Sequence, residues 1–373
     1  MRSSLKIFRI AGIDIGIHYT WIFIFLFFSV SLAQGYFPVQ YPGWSTAVYW
    51  LMGIIASLMI FVSVLIHELA HSLVAQRRGI PVKSITLFIL GGVSNLEDEP
   101  SKPSAEFSMA IVGPLTSFVL ALIFFGLSYI PQIAGSPGNA VLSYLAIINL
   151  FLGAFNLLPG FPLDGGRVLR SIIWGSTGDL LKATNIAGIV GQVLGWILIG
   201  VGILFIFWFG LFTGLWLAFI GWFLNSSADA SRKEIALRER LSLIKVREII
   251  HPNPEIIGPQ TTVEEMVRNI FSMHHGRAVP VCRNDKLVGI VTITDVKKLP
   301  QERWAATPVE EIMSREPLYT VSPEDNVNTA MKLLMQHDIN QVLVKQEEKC
   351  AGLLSRADII NHLQFTQELG LRR

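Results

Sequence analysis

Residues 65–72 read LIHELAHS, which contains the pattern H-E-x-x-H. Positions four apart share one face of a helix. His67 and His71 can therefore turn both imidazoles toward one zinc ion, with Glu68 beside them to take a proton from a water that the metal activates. The bland alternative, histidines hydrogen-bonded between helices, accounts for one such residue more readily than for two with a glutamate. A hydrolytic zinc wants a third protein ligand and an open position for water. Asp164, within FNLLPGFPLDGGRVLR at 155–170, is the natural third, because Pro159, Pro162, Gly165 and Gly166 break the helix there and bring irregular backbone to membrane depth. Its competing role is to cap the helix of GRVLRSII. The other histidines, His18, His251, His274, His275, His337 and His362, show no ligand spacing. His274 and His275 are adjacent, which on a helix points them about 100° apart.

The elements that must hold these residues are membrane helices. The chain has 373 residues, 51% hydrophobic and only 16% charged, with a mean hydropathy of +0.49, whereas soluble domains are about a quarter charged. Residues 15–67, 107–163 and 183–228 contain no Asp, Glu, Lys or Arg. Each block is long enough for two crossings of about 20 residues with a turn between. The turns are the Pro-, Gly- and polar-rich stretches at 34–46, 131–139 and 209–214, so six helices are expected near 18–33, 47–76, 107–130, 140–158, 184–207 and 211–227. If the second continues to Arg77, Glu68 lies roughly 13 Å inside its charged end. A carboxylate there costs about 2.5 kcal/mol or more and marks a functional site.

Arg2, Lys6, Arg9, Arg77, Arg78, Lys83, Arg167, Arg170, Lys182, Arg232 and Lys233 all fall on one side of this map. By the positive-inside rule that side is the cytoplasm, and both termini are cytoplasmic. A rival reading takes residues 1–33 as a cleavable signal peptide ending at Ser31-Leu32-Ala33, but IGIHYTW interrupts the usual layout. The net charge of +2 gives no basic surface for nucleic acid, and two cysteines imply no disulfide framework.

Past Asp229 the composition becomes that of a soluble domain, joined through a charged linker helix at 229–244 containing SRKEIALRERL. An internal repeat follows. LVGIVTITDVKKL at 287–299 matches CAGLLSRADIINHL at 350–363, and VREII at 246–250 matches VEEIM at 309–313. Each unit reads helix, strand, strand, helix. TITD at 292–295 and SRAD at 355–358 put a hydroxyl three residues before an aspartate at a strand-to-helix turn. Thr292, Asp295, Ser355 and Asp358 can there meet phosphate and ribose at a helix N-terminus, or simply cap the helices.

HELAH in the second span followed by NLLPGFPLDGG after the fourth resembles the site-2 protease family of intramembrane zinc metalloproteases, as do IGIHYTW at 15–21, ITLFILGGVSNL at 85–96 and IVGPLTS at 111–117. The resemblance implies His67, His71 and Asp164 as ligands of one zinc, Glu68 as general base and later proton donor, and Asn156 as a polar contact for the substrate peptide. It also implies that the strand-like segment 85–93, with Gly91 and Gly92, is an edge to which an unwound substrate adds as a strand; a short connecting hairpin is the plain alternative. The C-terminal repeat is similar to a CBS pair, which implies ATP, ADP or AMP as ligand and a homodimer through these domains. The expected architecture is an α-helical polytopic membrane domain at 1–228, of about six transmembrane helices with a short membrane-associated β segment, plus a soluble α/β tandem CBS module at 245–373, repeat one 245–300 and repeat two 308–364. The expected activity is proteolysis of single-span membrane proteins, such as a membrane-tethered transcription factor or anti-sigma factor. A CBS-regulated transporter or channel and a catalytically silent binder of membrane segments are the alternatives.

Overall fold

The computed structural model describes residues 4–89, 91–96, 100–252, 254–271, 278–284, 286–315, 317–347 and 349–368; His274 and His275 lie outside them. The chain divides into two compact units, Met1–Ile235 and Ala236–Arg373.

The first unit opens with strands β1 (Ser4–Ile10) and β2 (Ile13–His18), to which the sequence reading assigns no element. Helix α1 (Trp21–Ser31) follows, and a π turn at Leu32–Tyr36 and helix α2 (Phe37–Gln40) carry it on through part of the stretch expected to be a turn. Pro38 does not stop it because it stands in the first turn of α2, where its missing N–H breaks no hydrogen bond within that helix. Helix α3 (Thr46–Arg77) carries the H-E-x-x-H motif and ends where Gly79 takes positive φ. Strands β3 (Val82–Phe88) and β4 (Gly91–Leu96) form a hairpin, followed by helices α4 (Pro103–Ser128) and α5 (Pro137–Asn156). Helices α6 (Asp164–Thr177), α7 (Leu180–Phe209) and α8 (Leu211–Leu243) complete the series. Among the described residues six helices, Trp21–Gln40, Thr46–Arg77, Pro103–Ser128, Pro137–Asn156, Leu180–Phe209 and Leu211–Leu243, are long and apolar enough to cross a membrane. The linker helix expected at 229–244 is not a separate element, because α8 runs unbroken through Asp229 to Leu243.

The first four strands form one sheet in the order β1-β2-β3-β4, with β2 and β3 parallel and the outer pairs antiparallel. The segment 85–93 is therefore a hairpin within a larger sheet: β3 is internal, and β4 supplies the edge. One sheet face packs Ile13, Ile15, Val82 and Ile85 on Ala75 of α3 and Met109 of α4.

A buried ion pair fixes α6 to α4. Arg170 donates from Nε to Glu106 Oε1 at 2.6 Å and contacts the same oxygen through Nη2, while its guanidinium lies 5.1 Å from the Phe161 ring centroid. Arg170 thus serves as an internal counter-charge, whereas the sequence reading had counted it among the charges flanking the helices.

In the second unit, β6 (Ala278–Arg283) pairs with β7 (Lys286–Thr292), and a four-stranded sheet runs β5-β10-β9-β8, with β5 at His251–Pro252, β8 at Thr320–Val321, β9 at Gln341–Gln346 and β10 at Lys349–Ser355. The flanking helices are α9 (Val263–Met266, continued by a π turn to Phe271), α10 (Ile293–Val296), α11 (Val327–Gln336) and α12 (Arg356–Glu368). The sequence repeats are not the packing units. Val246 and Ile249, at the head of repeat one, are buried in the core of repeat two with Val327, Leu334, Val344 and Leu354. Val309, at the head of repeat two, is buried with Val263, Met266, Val281 and Val291 of repeat one. Each repeat supplies the other with an apolar lead-in, so neither can bury its core alone.

Removing one member of a buried ion pair strands the other charge at a cost of about 3–5 kcal/mol. Arg170→Met is expected to lower the thermal unfolding midpoint of the detergent-solubilised chain, and Glu106→Met with Arg170→Met to recover most of the loss.

Candidate metal centre

His67 and His71 project from the same side of α3, and Asp164 reaches them from the first position of α6. Asp164 Oδ2 lies 3.0 Å from His67 Nε2 and 3.1 Å from His71 Nε2, and the two Nε2 atoms are 3.1 Å apart. All three side chains are buried or nearly so. The residue before α6 is Leu163, and no side chain caps that helix, so the Asp164 carboxylate points to the imidazoles rather than to its own helix terminus.

The approach of Asp164 depends on backbone contacts in the segment before α6. A Cβ on Gly165 would come within 2.3 Å of the Leu157 carbonyl oxygen, and one on Gly166 within 2.4 Å of the Gly160 carbonyl carbon. Only glycine lets α6 start hard against the chain that precedes it. Irregular backbone survives at membrane depth when protein covers it, and Gly160 and Phe161 are buried here.

The donor atoms suit a cation. His71 Nδ1 is 2.6 Å from the Met109 carbonyl oxygen, which can only accept, so Nδ1 carries a proton and the neutral ring presents a lone pair at Nε2. His67 Nδ1 is 2.8 Å from Ser117 Oγ, a hydroxyl that can accept from a protonated Nδ1 and so leave Nε2 free to bind a cation. Lone pairs and a carboxylate facing one another repel unless a positive charge sits among them. Two ligands about 2.0–2.1 Å from a tetrahedral zinc lie about 3.3 Å apart, close to the separations here.

One face of α4 supports the whole arrangement. Glu106, Met109, Gly113 and Ser117 recur at helical spacing; they bind Arg170, orient His71, make room for both rings and orient His67, respectively. A Cβ on Gly113 would stand 2.1 Å from His71 Nε2 and 2.7 Å from His67 Nε2. The sequence reading missed these roles. GPLTS was noted as a motif, yet which helix its face meets cannot be read from spacing.

Glu68 faces the edge strand. Its Oε2 accepts a hydrogen bond from Ser94 Oγ at 2.9 Å, Ser94 Oγ lies 3.2 Å from Ser72 Oγ, and a Cβ on Gly92 would meet Glu68 Cγ at 2.5 Å. Gly91 opens β4 with a φ of 129° and stands opposite Phe88. Asn156 closes α5 with its amide donating to the Leu152 carbonyl at 3.0 Å; its recorded contact is thus within its own helix.

In the second unit the hydroxyl–aspartate pairs are observed as caps. Asp295 Oδ2 accepts from the Thr292 N–H and hydroxyl at 3.1 and 2.7 Å, and Asp358 Oδ2 accepts from the Ser355 N–H and hydroxyl at 2.8 and 2.7 Å. Burial alone would raise the Asp295 carboxyl, but hydrogen bonds from Thr292 and Lys298 outweigh it and hold the group below the usual carboxylate range. A cavity of about 570 Å³ is lined from repeat one by Thr292, Thr294 and Lys297 and from repeat two by Arg315, Tyr319, Asp338 and Asn340. Asp295, Ser355 and Asp358 are not among its lining residues.

The model of peptidase family M50 matches residues 55–134 and 131–201, and the CBS domain model matches 246–302 and 309–364. A candidate zinc metalloprotease of Synechocystis is 35% identical over 98% of this chain and 96% of its own length. One of Mycobacterium tuberculosis is 32% identical over 96% and 92%. Among solved structures, the site-2 protease of Methanocaldococcus jannaschii is 33% identical, covers 61% of this chain and 95% of its own, and has a TM-score of 0.43.

The α4 face yields two expectations. Ser117→Ala should weaken zinc binding about 10–100-fold, as loss of a partner that orients a ligand does, in a competition titration against a chromogenic chelator. Gly113→Ala should abolish stoichiometric zinc while leaving the helical circular dichroism unchanged.

Proposed function

The chain belongs to peptidase family M50, the site-2 proteases, and from that premise we propose that it hydrolyses peptide bonds of single-span membrane proteins within the bilayer. The observation that carries this reading is the meeting of two imidazole nitrogens and a carboxylate oxygen beside a glutamate on a membrane helix. His67, His71 and Asp164 are the residues to hold one zinc per chain. Zinc held there would supply Lewis acidity for a substrate carbonyl and for water. Glu68 is placed to accept a proton from the attacking water and return it to the leaving amine. Ser94 holds the Glu68 carboxylate in one orientation, and the surrounding protein keeps lipid from it.

A transmembrane helix has its carbonyls tied up in its own hydrogen bonds and must be unwound before attack. The free edge of β4 is suited to receive the unwound stretch as an added strand. Gly91 and Gly92 keep that edge low enough for the peptide to lie against Glu68, and Asn156 offers its side-chain carbonyl to the peptide from the end of α5. The charged ends of the helices, both termini and the CBS pair are assigned to the cytoplasm.

The same reading gives the second unit a regulatory role. The cavity volume falls within the range of small-ligand sites, Lys297 and Arg315 supply positive charge for phosphates, and the Tyr319 ring, stacked on His337 at 3.8 Å between centroids, offers a surface for a base. An adenine nucleotide bound there by Thr292 and these residues would tune the protease. Asp295, Ser355 and Asp358 act as caps of their own helices, outside the cavity lining.

Glu68→Gln should keep its zinc but lose cleavage of a model single-span substrate by about a hundredfold or more, the share a general base supplies. Zinc-free, inactive native protein would favour a transporter or a silent binder instead. Calorimetry of the detergent-solubilised full chain should show saturable binding of ATP, ADP or AMP, reduced by Arg315→Ala; no heat with any of the three removes the nucleotide from the account.

A further inference from the structure

Strand β1 leaves an apolar surface without a protein partner among the described residues. The pairing sets Leu5 opposite Ile17, Phe8 opposite Ile15 and Ile10 opposite Ile13. Residues directly opposed in an antiparallel pair share a face. Leu5, Phe8 and Ile10 thus continue the face whose inner half, Ile13 and Ile15, is 0% and 1% exposed against α3 and α4. The outer half overhangs: Leu5 is 79% exposed, Phe8 46% and Ile10 37%. The opposite face carries the charge. Lys6 and Arg9 flank Asp14, with Lys6 Nζ at 2.5 Å and Arg9 Nε at 3.6 Å from its carboxylate oxygens, so two cations share one anion and the face keeps a positive excess.

We propose that the β1–β2 hairpin is an interfacial anchor, with Leu5, Phe8 and Ile10 set into the bilayer surface and Lys6 and Arg9 among anionic lipid headgroups. Continuity with the membrane helices argues for lipid as the occupant. Ile17, opposite Leu5, is four residues from Trp21, where α1 begins, and four residues span at most about 14 Å. Tyr19, 64% exposed, and Trp21 are residue types that gather at the headgroup level. The overhanging face looks the same way as the buried half that rests on the membrane helices, so hydrocarbon is what it meets. Adding a substrate strand would use the N–H and C=O groups of the β1 edge and leave these side chains uncovered, so an added strand does not explain their segregation onto one face. An amphipathic element with apolar residues on one side and Lys and Arg on the other lies in the interface. The anchor holds β1 at the headgroups while β4, at the other margin of the same sheet, lies against Glu68.

The test uses the full chain with Cys282→Ser and Cys350→Ser, carrying one nitroxide-labelled cysteine at position 5, 8, 10, 6 or 9. Each is reconstituted in phosphatidylethanolamine–phosphatidylglycerol vesicles and read by power saturation with oxygen and a water-soluble nickel chelate. Labels at 5, 8 and 10 should collide preferentially with oxygen and those at 6 and 9 with nickel. Nickel access at all five positions would overturn the proposal, as would shielding at 5, 8 and 10 from both reagents, the mark of a protein partner. The unsubstituted chain gives an independent reading. A photoactivatable phospholipid should label residues 4–10, and their absence from the labelled peptides would count equally against the anchor.

Discussion

Two imidazole nitrogens and a carboxylate oxygen held within about 3 Å of one another, in a unit of long apolar helices, make an arrangement suited to a positive charge at its centre. Met109 and Ser117 hold the outer nitrogens of the two imidazoles and so aim the inner ones at each other and at Asp164. With both imidazoles neutral and presenting Nε2 lone pairs, a cation would offset the repulsion among the three and find a preformed site. The rest of the first unit can be understood as the means of keeping the three together. Helix α3 supplies two of them at fixed spacing, α6 brings the third, and α4 lies against both with a face of Glu106, Met109, Gly113 and Ser117. The buried Glu106–Arg170 pair matters in this setting because it locks the rotation and height of α6, six residues from Asp164, relative to the helix that orients the histidines. Lone charges at such burial are expensive, so the pair tolerates little sliding between the two helices.

The four-stranded sheet adds a second constraint. Its one face closes over the ends of α3 and α4, and β4 comes so close to Glu68 that residue 92 has no room for a side chain. The residue proposed as general base and the strand proposed to receive substrate are thus in van der Waals contact and share the Ser94 hydrogen bond. Any displacement of β4 moves the carboxylate as well. The opposite margin of the sheet has no such internal support, and its exposed apolar residues are the ones argued to lean on lipid.

The second unit solves a different problem. Each of its repeats exposes a core that the other's leading segment covers, so the pair is one folding unit. The cavity draws its lining from both repeats, and a ligand there would bridge the two halves. Capping accounts for all four hydroxyl and aspartate residues of the repeated motif; only Thr292 also faces the cavity.

The amino-acid sequence by itself determined what depends on local spacing and on solvent. Six apolar helices follow from three charge-free blocks, since a bilayer excludes charge over a known thickness. The pairing of His67 with His71 follows from helix periodicity, and the repeat at 246–364 shows in its matched motifs. What the sequence left open was settled by contacts between distant segments. Whether Asp164 capped its own helix or faced the histidines turned on the packing of α6 against α4, 93 residues and more from its partners. The roles of Gly113 and Ser117 depend on which helix their face meets. The pairing of β1 with β2, and of β2 with β3 between residues 70 apart in the chain, left no local sign in the sequence. Arg170 resembled a flanking surface charge because no local pattern distinguishes a cation that meets solvent from one that meets a buried glutamate 64 residues away. Local physics fixes the elements and their faces; which faces meet is decided by the burial of apolar surface and the matching of buried charges over the whole chain.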